Sequence, residues 1–402
     1  MSITLALAMI VVAAVAAQLL AARASIPAVV PLLIAGVVFG PYGLDAFDAD
    51  ELFGDLLDPF VALAVGAILF DGALTLRRES LEHGVGGVVA RLCSVGVLIT
   101  WAGAAIGAGI LLGLDHRIAI LLGAILTLSG PTVVIPILDF VRPTPRLDAA
   151  LRWEGILVDP IGAIAAVITY HLITSGEGEV HFFEFLGTLG VGLGVGLIGA
   201  AVLAFLLSER RFASHLEATA ILAVVLFSVA LASEIRDDAG LVTAIAMGLV
   251  LAHRQRELIQ RAPEFGETLV SLLLGVLFVI LSARVDPGAV VDLGWGAVAF
   301  VALLIVVLRP LSAAVSTARS VLETRERALV AWMMPRGIVA ASTASTFGFG
   351  LAEAGIPDAD KLVPATFLVI AVTVAVYGLS GRPLALRLGV GERGPKPRGA
   401  ID

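Results

Sequence analysis

Apolar residues in this chain follow neither the period of an amphipathic helix nor the alternation of a half-buried strand. They come in long unbroken runs, separated by short loops that hold most of the Asp, Glu and Arg. A helix rises about 1.5 Å per residue, so about 20 apolar residues cross the hydrocarbon core of a bilayer. On that ruler the runs predict thirteen helices, at 3–21, 27–43, 59–76, 86–113, 117–140, 149–173, 183–207, 216–234, 239–252, 267–284, 291–317, 327–349 and 363–386. The expected fold class is an all-α polytopic membrane protein with 13 transmembrane helices and a short cytoplasmic tail at 387–402. No soluble domain fits between the runs, so 1–402 reads as a single transmembrane domain.

Composition agrees with the pattern. Of 402 residues, 59% are hydrophobic and 15% charged, and the mean hydropathy is +1.01, far outside the range of soluble domains. Residues 3–21 follow Met1 without a basic region and show no small-residue cleavage site, so they read as a first span and not as a removed leader. One cysteine, Cys93, and six histidines provide neither a disulfide framework nor a zinc spacing. No cofactor and no nucleic-acid partner are expected. The net charge of −8 lies mostly in loops, including Asp45, Asp48, Asp50, Glu51 and Asp55, and carries little information about partners.

Basic residues test the span count, because cytoplasmic loops collect Lys and Arg. With thirteen helices, eighteen basic residues fall on one side of the membrane and four on the other. That split predicts the N-terminus outside and the C-terminus in the cytoplasm, in a prokaryotic cell membrane. Thirteen divides as six, one and six, with repeats at about 1–173 and 216–386 and the helix 183–207 linking them. The two halves then have opposite orientations, the arrangement of many secondary transporters.

"TLSGPTVVIP" (127–136) lies in the fifth helix of the first half and "MMPRGIVAAS" (333–342) in the fifth of the second. Pro131 in the one, and Pro335 with Gly337 in the other, predict helix breaks at matching positions. Broken helices in corresponding places are a sequence pointer to a binding site at the bilayer midplane, where unwound backbone must line a cavity.

Ionisable groups deep in a span cost several kcal/mol unless paired or solvated. Asp71, Arg91, Glu217, Glu267, Arg284 and Arg309 are placed nearer predicted helix ends and read as snorkelling or structural groups, as do His171 and Cys93. Glu154, Asp159 and Arg336 are different. Five residues along a helix turn the side chain by about 140° and advance it about 7.5 Å, so Glu154 and Asp159 do not share a face. Glu154 is assigned to Arg336, whose guanidinium cannot shed its proton and needs a counter-charge. Asp159 is then without a permanent cationic partner, and a proton or a small alkali cation would relieve its desolvation equally well. The groups of Ser129, Gly130 and Thr132 are candidates for the rest of an oxygen shell. Pro160 removes a backbone N–H just beyond the aspartate.

The stretch "EGILVDPIGAI" (154–164) resembles the signature helix of monovalent cation/proton antiporters of the Na+/H+ exchanger (NhaP-like) family. Glu154 matches the family glutamate and Asp159 its ion-binding aspartate. "LSGPTVVIP" is similar to the family's first crossed helix, "MMPRGIVAAS" to the segment bearing the arginine that pairs with the glutamate, and "PLLIAGVVFGPYGL" and "ILFDGAL" to its early helices. The resemblance implies a NhaA/NhaP-like antiporter fold with crossed discontinuous helices, and a homodimer. It also implies a core domain that moves like an elevator and exposes Asp159 to alternate sides. Two positions depart from the family pattern. Val158 stands where the family has Asn before the aspartate, and Ser129-Gly130 stand where many members have Thr-Asp. With one acid at the site, the expected exchange is one alkali cation, Na+ or Li+, for one proton and electroneutral, and K+ is the alternative cargo. A symporter or anion carrier using Arg336 as a ligand fits less well, because two acids face one arginine. Intramembrane proteolysis needs a second facing aspartate that is missing, and no serine-hydrolase motif is found. The protein is not expected to be an enzyme.

Overall fold

A computed structural model of the chain describes residues 2–24, 26–76, 78–82, 84–175, 178–208, 214–236, 239–254 and 263–391. Helices account for nearly all of them. Apart from short helices such as Ala49–Phe53 and Pro287–Asp292, these are in chain order α1 (Ile3–Ala24), α2 (Val29–Phe39), α3 (Leu57–Leu74), α4 (Val85–Leu111), α5 (His116–Ile125), α6 (Pro131–Val141), α7 (Pro145–Ser175), α8 (Gly178–Ser208), α9 (Ser214–Ile235), α10 (Ala239–Arg254), α11 (Pro263–Ala283), α12 (Gly294–Ser316), α13 (Thr324–Trp332), α14 (Ile338–Glu353) and α15 (Leu362–Leu388). Every predicted apolar run contains a helix, and the runs 117–140 and 327–349 contain two each, interrupted where Pro and Gly predicted a break. Eight helices among the described residues are long and apolar enough to cross a membrane. Most of the expected tail at 387–402, residues 392–402, lies outside the described residues.

The helices pack in two groups. α1, α2 and α3 associate with α8, α9, α10 and α11, while α4 to α7 associate with α12 to α15. Small residues allow the close approaches that membrane helices need. A Cβ on Gly123 of α5 would lie 2.7 Å from the Trp101 carbonyl oxygen of α4, and one on Gly296 of α12 would lie 2.0 Å from that of Leu111.

α4 and α12 each contain one wide π turn, Leu92–Gly96 and Leu303–Leu308. A π turn accommodates an extra residue, so the residues after it are rotated by about 100° relative to an uninterrupted helix. The carbonyls it loosens find partners across the helix pair. Ser312 Oγ donates to the Gly96 carbonyl at 3.2 Å, and Ser316 Oγ donates to that of Arg91 at 3.2 Å.

A crossed pair of broken helices over a buried carboxylate

The two breaks meet. α5 stops at Ile125, the chain turns through Leu126 and Thr127, and Gly130 is extended (φ −65°, ψ 141°), held out of the helical region by the proline that follows. Pro131 then opens α6, where its missing N–H costs nothing. α13 ends at Trp332, Met333 is extended (φ −98°, ψ 115°), and α14 begins at Ile338 after an extended Gly337 (φ −101°, ψ 176°). Ser129 Oγ donates to the Pro335 carbonyl at 3.2 Å, and Arg336 Nη1 donates to the Thr127 carbonyl at 3.2 Å. Four helix ends therefore converge on one point.

The arginines serve the negative ends. The last carbonyls of a helix have no intrahelical partner, and a cation there is favourable. Arg336 supplies this at the end of α5. Arg309 supplies it at the end of α13, where its Nε donates to the Val330 carbonyl at 2.8 Å.

The pairing of Glu154 with Arg336 expected from sequence is corrected by this arrangement. Glu154 is held by Arg309, with Nη1 to Oε1 at 2.5 Å and Nη2 to Oε2 at 2.9 Å. Both side chains are buried, 1% and 4% exposed. Arg309 is not an end group: it follows directly on the π turn of α12, which brings its guanidinium inward. Its sequence signal was present, a lone Arg followed by Pro310 late in an apolar run, but a regular helical period misplaces it.

Asp159 sits on α7 beside the crossing. It is 0% exposed, and neither carboxylate oxygen has a hydrogen-bond partner among the described residues. The helix continues through Pro160. Gly162, one turn on, lets the first break lie against α7, since a Cβ there would meet Thr127 Oγ1 at 2.6 Å and the Leu128 nitrogen at 3.0 Å. Val158 is fully buried and packs with Val97 and Met334, with Cys93 against them. The Met334 sulfur also accepts from Arg309 Nη1 at 3.2 Å. The position where the resemblance implies a polar residue is thus an apolar joint between α4, α7 and the second break.

The structure brings together Ser129, Gly130, Glu154, Val158, Pro335 and Arg336, all named from sequence. Ser129 spends its hydroxyl on the Pro335 carbonyl and does not bond Asp159. The side chains of Pro131 and Thr132 lie outside the described residues. Arg309, Gly162 and Met334 belong to the site and were not found from sequence. A cavity of about 10 Å³ separates Ser129, Glu154, Gly155 and Pro335, room for about one water.

Two larger cavities open between the two helix groups. One, about 620 Å³, lies where α3 and α10 end and α7 begins, against Trp153, Ala200 and Leu249. The other, about 520 Å³, lies where α3 and α10 begin and α7 ends, against Asp58, Val167 and Tyr170. Asp159 lines neither. Along α7 it is about 9 Å from Trp153 and about 12 Å from Val167.

A helical membrane protein in which two broken helices cross beside a buried carboxylate that has no hydrogen-bond partner among the described residues is built like a secondary transporter. The family model described as "Sodium/hydrogen exchanger, transmembrane" matches residues 8–387, and the chain belongs to that family. It is 25% identical to Na(+)/H(+) antiporter 1 of Methanocaldococcus jannaschii over 94% of this chain and 93% of the relative. It is 24% identical to K(+)/H(+) antiporter NhaP of Alkalimonas amylolytica, over 96% of this chain and 67% of that protein. It is 26% identical to K(+)/H(+) antiporter NhaP2 of Shewanella baltica, of which it spans 65%. The solved structure of the sodium proton antiporter MjNhaP1 from Methanocaldococcus jannaschii at pH 8 has the same fold, with a TM-score of 0.82, 23% identity and coverage of 98% of this chain and 100% of that one.

Proposed function

We propose that this chain exchanges a monovalent alkali cation for a proton across a prokaryotic cell membrane, with Asp159 as the one group for which both compete. The observation that carries the reading is the Asp159 carboxylate, buried at the crossing with neither oxygen hydrogen-bonded among the described residues. An ionised carboxylate in that state is strongly disfavoured. Either a proton or a desolvated cation relieves it, so loading one cargo displaces the other. With Glu154 occupied by Arg309, a single acid titrates against cargo, and the exchange is one for one and electroneutral. Oxygens suit a hard alkali cation, and the freed carbonyls of the breaks and Ser129 are the candidate donors.

The two cavities on either side of Asp159, each between the same two helix groups, fit alternating access in which the α4–α7 and α12–α15 group slides against the other. We place thirteen spans in two inverted repeats, about 1–173 and 216–386, linked by α8, because each half presents in order a π-turn helix, a broken helix and a long helix. The N-terminus faces outside and the homodimer forms through the α1–α3 and α8–α11 group. Na+ or Li+ is the first assignment of cargo. K+ is the alternative, since two of the relatives are named as potassium antiporters.

Proteoliposomes enclosing a pH dye test the reading. Addition of Na+, Li+ or K+ in parallel is expected to drive proton flux for at least one ion, and Asp159→Asn is expected to abolish it. Exchange retained in that variant would remove Asp159 from the mechanism.

A further inference from the structure

Unwound backbone at membrane depth must find its hydrogen-bond partners outside its own segment. In the second break one peptide unit, Pro335–Arg336, is held at both ends. Its carbonyl accepts from Ser129 Oγ of the first break at 3.2 Å, and its N–H donates to Thr373 Oγ1 of α15 at 3.4 Å. The peptide is trans, so the two groups point in opposite directions. Turning this plane would break both bonds at once. Two hydroxyls, one on each side, therefore set its direction.

Thr373 is equipped to accept. A hydroxyl has one proton and two lone pairs, and Thr373 Oγ1 donates its proton along its own helix, to the Val369 carbonyl at 2.7 Å. A lone pair is left for the Arg336 N–H. Thr373, Tyr377 and Ser380 follow one another at four and three residues, which places them on one face of α15. That face backs the break along its length. The Tyr377 ring meets Trp332 edge-on with centroids 6.1 Å apart, and Ser380 Oγ accepts from Trp332 Nε1 at 2.8 Å.

The hold on the N–H also acts on the carbonyl. An amide that donates is more strongly polarised, and its oxygen becomes a better acceptor. That oxygen lies at the crossing: Met334, its neighbour in the chain, packs on Val158, which directly precedes Asp159.

We propose that Thr373 is a positioning residue for the exchanged cation, and that the oxygen it aims, the Pro335 carbonyl, is a ligand of the ion once the Ser129 hydroxyl turns its proton away. Thr373 itself does not touch the ion. The proposal rests on the antiport reading above, and adds to it a named ligand and the residue that orients it.

Cation titrations in proteoliposomes test it, using the ion that drives proton flux in the wild type. Thr373→Val keeps the shape of the side chain and removes the acceptor. It is expected to raise the cation KM roughly three- to tenfold, the worth of about one hydrogen bond, while turnover at saturating cation falls by less than about twofold. Thr373→Ser returns the hydroxyl and is expected to return KM to the wild-type value. Thr366→Val removes a buried hydroxyl of the same helix, one that bonds the Leu362 carbonyl at 2.8 Å, and is expected to leave KM unchanged. A wild-type KM in Thr373→Val, a KM in Thr373→Ser as high as in Thr373→Val, or an equal rise in Thr366→Val overturns the proposal. A second readout needs no transport. Bound cation raises the thermal midpoint of the detergent-solubilised protein, and the concentration giving half of that rise is expected to increase by the same factor as KM. If Thr373→Val does not fold, Thr373→Ala compared with Thr373→Ser decides by the same two readouts. If no alkali cation moves protons through the wild type, the antiport reading fails and the proposal with it; if the wild type exchanges and the Thr373 variants keep its KM, the orienting role alone fails.

Discussion

Arg309 and Glu154 stand 155 positions apart in sequence and form a two-pronged ion pair at 2.5 and 2.9 Å in the buried core of the protein. The arginine also closes the end of α13 through the Val330 carbonyl. A single guanidinium thus ties α7, α12 and the second broken helix together. Breaking a buried pair on one side leaves an uncompensated charge and costs roughly 3–5 kcal/mol, whereas replacing both partners by apolar residues is often neutral. Arg309→Leu and Glu154→Leu are each expected to lower thermal stability strongly, and the double variant to recover most of the loss. In a double-mutant cycle read by thermal unfolding in detergent, Glu154 is expected to couple strongly to Arg309 and weakly to Arg336. The opposite order would restore the pairing expected from sequence.

Val158 offers a test in which family resemblance and packing disagree. Asn at this position would place an amide among Val97, Met334 and Cys93, whose side chains offer sulfur as their one polar partner, that of Met334 already accepting from Arg309. Val158→Asn is expected to destabilise the protein by about 1–3 kcal/mol, the cost of a buried unsatisfied polar group. The same unfolding assay checks it, and a variant as stable as the wild type would show that the joint can rearrange around a polar side chain.

Gly162 controls how closely the first break lies against α7. Alanine there would sit 2.6 Å from Thr127 Oγ1 and 3.0 Å from the Leu128 backbone nitrogen. Backbone cannot move aside as a side-chain tip can, so the unwound segment would be pushed away from Asp159 at about 1–3 kcal/mol of strain. Gly162→Ala is expected to fold and to lose most of its cation-driven proton flux. Gly190→Ala on α8, where an added Cβ meets nothing within 4 Å, is expected to transport normally.

In the loops before α5 and α15, Asp358 accepts the Asp115 backbone N–H at 2.9 Å and pairs with Lys361 at 2.8 Å. The hydrogen bond from the Lys361 ammonium, followed by that from the Asp115 backbone, holds the Asp358 carboxyl below the usual carboxylate range. A depressed folded-state value contributes stability that is present above the unfolded value of about 3.9 and is lost as pH falls through the folded one. Both partners reach solvent, so screening reduces the worth of this clamp to about 0.5–1 kcal/mol. Asp358→Asn is expected to melt slightly below wild type at pH 7, with the gap closing below about pH 4. A gap that is unchanged in acid would show that the amide loses geometry and not charge.

Much of the architecture was legible along the chain. Bilayer thickness sets helix length, and so the apolar runs mark the helices. Proline's effect on the residue before it is local, so the breaks near Gly130 and Met334 could be placed from Pro131 and Pro335 alone. Asp159 stood out because an unpaired acid in an apolar run has few explanations. The partner of Glu154 was not legible in the same way. Two arginines were available, and a regular period placed Arg309 towards an end, because nothing in "FVALLIVVLRP" announces a π turn.

The sequence by itself determined which segments are helical, where two of them break, and which carboxylate has no fixed counter-charge, since hydrophobic length, proline geometry and desolvation all act within a segment. Only the tertiary structure decided that Arg309 grips Glu154 while Arg336 closes the end of α5, that Val158 completes an apolar joint, and that Asp159 lies between two cavities. Those outcomes depend on how helices far apart in sequence rotate and approach one another, which is settled by packing of the whole bundle and has no signature within any one stretch.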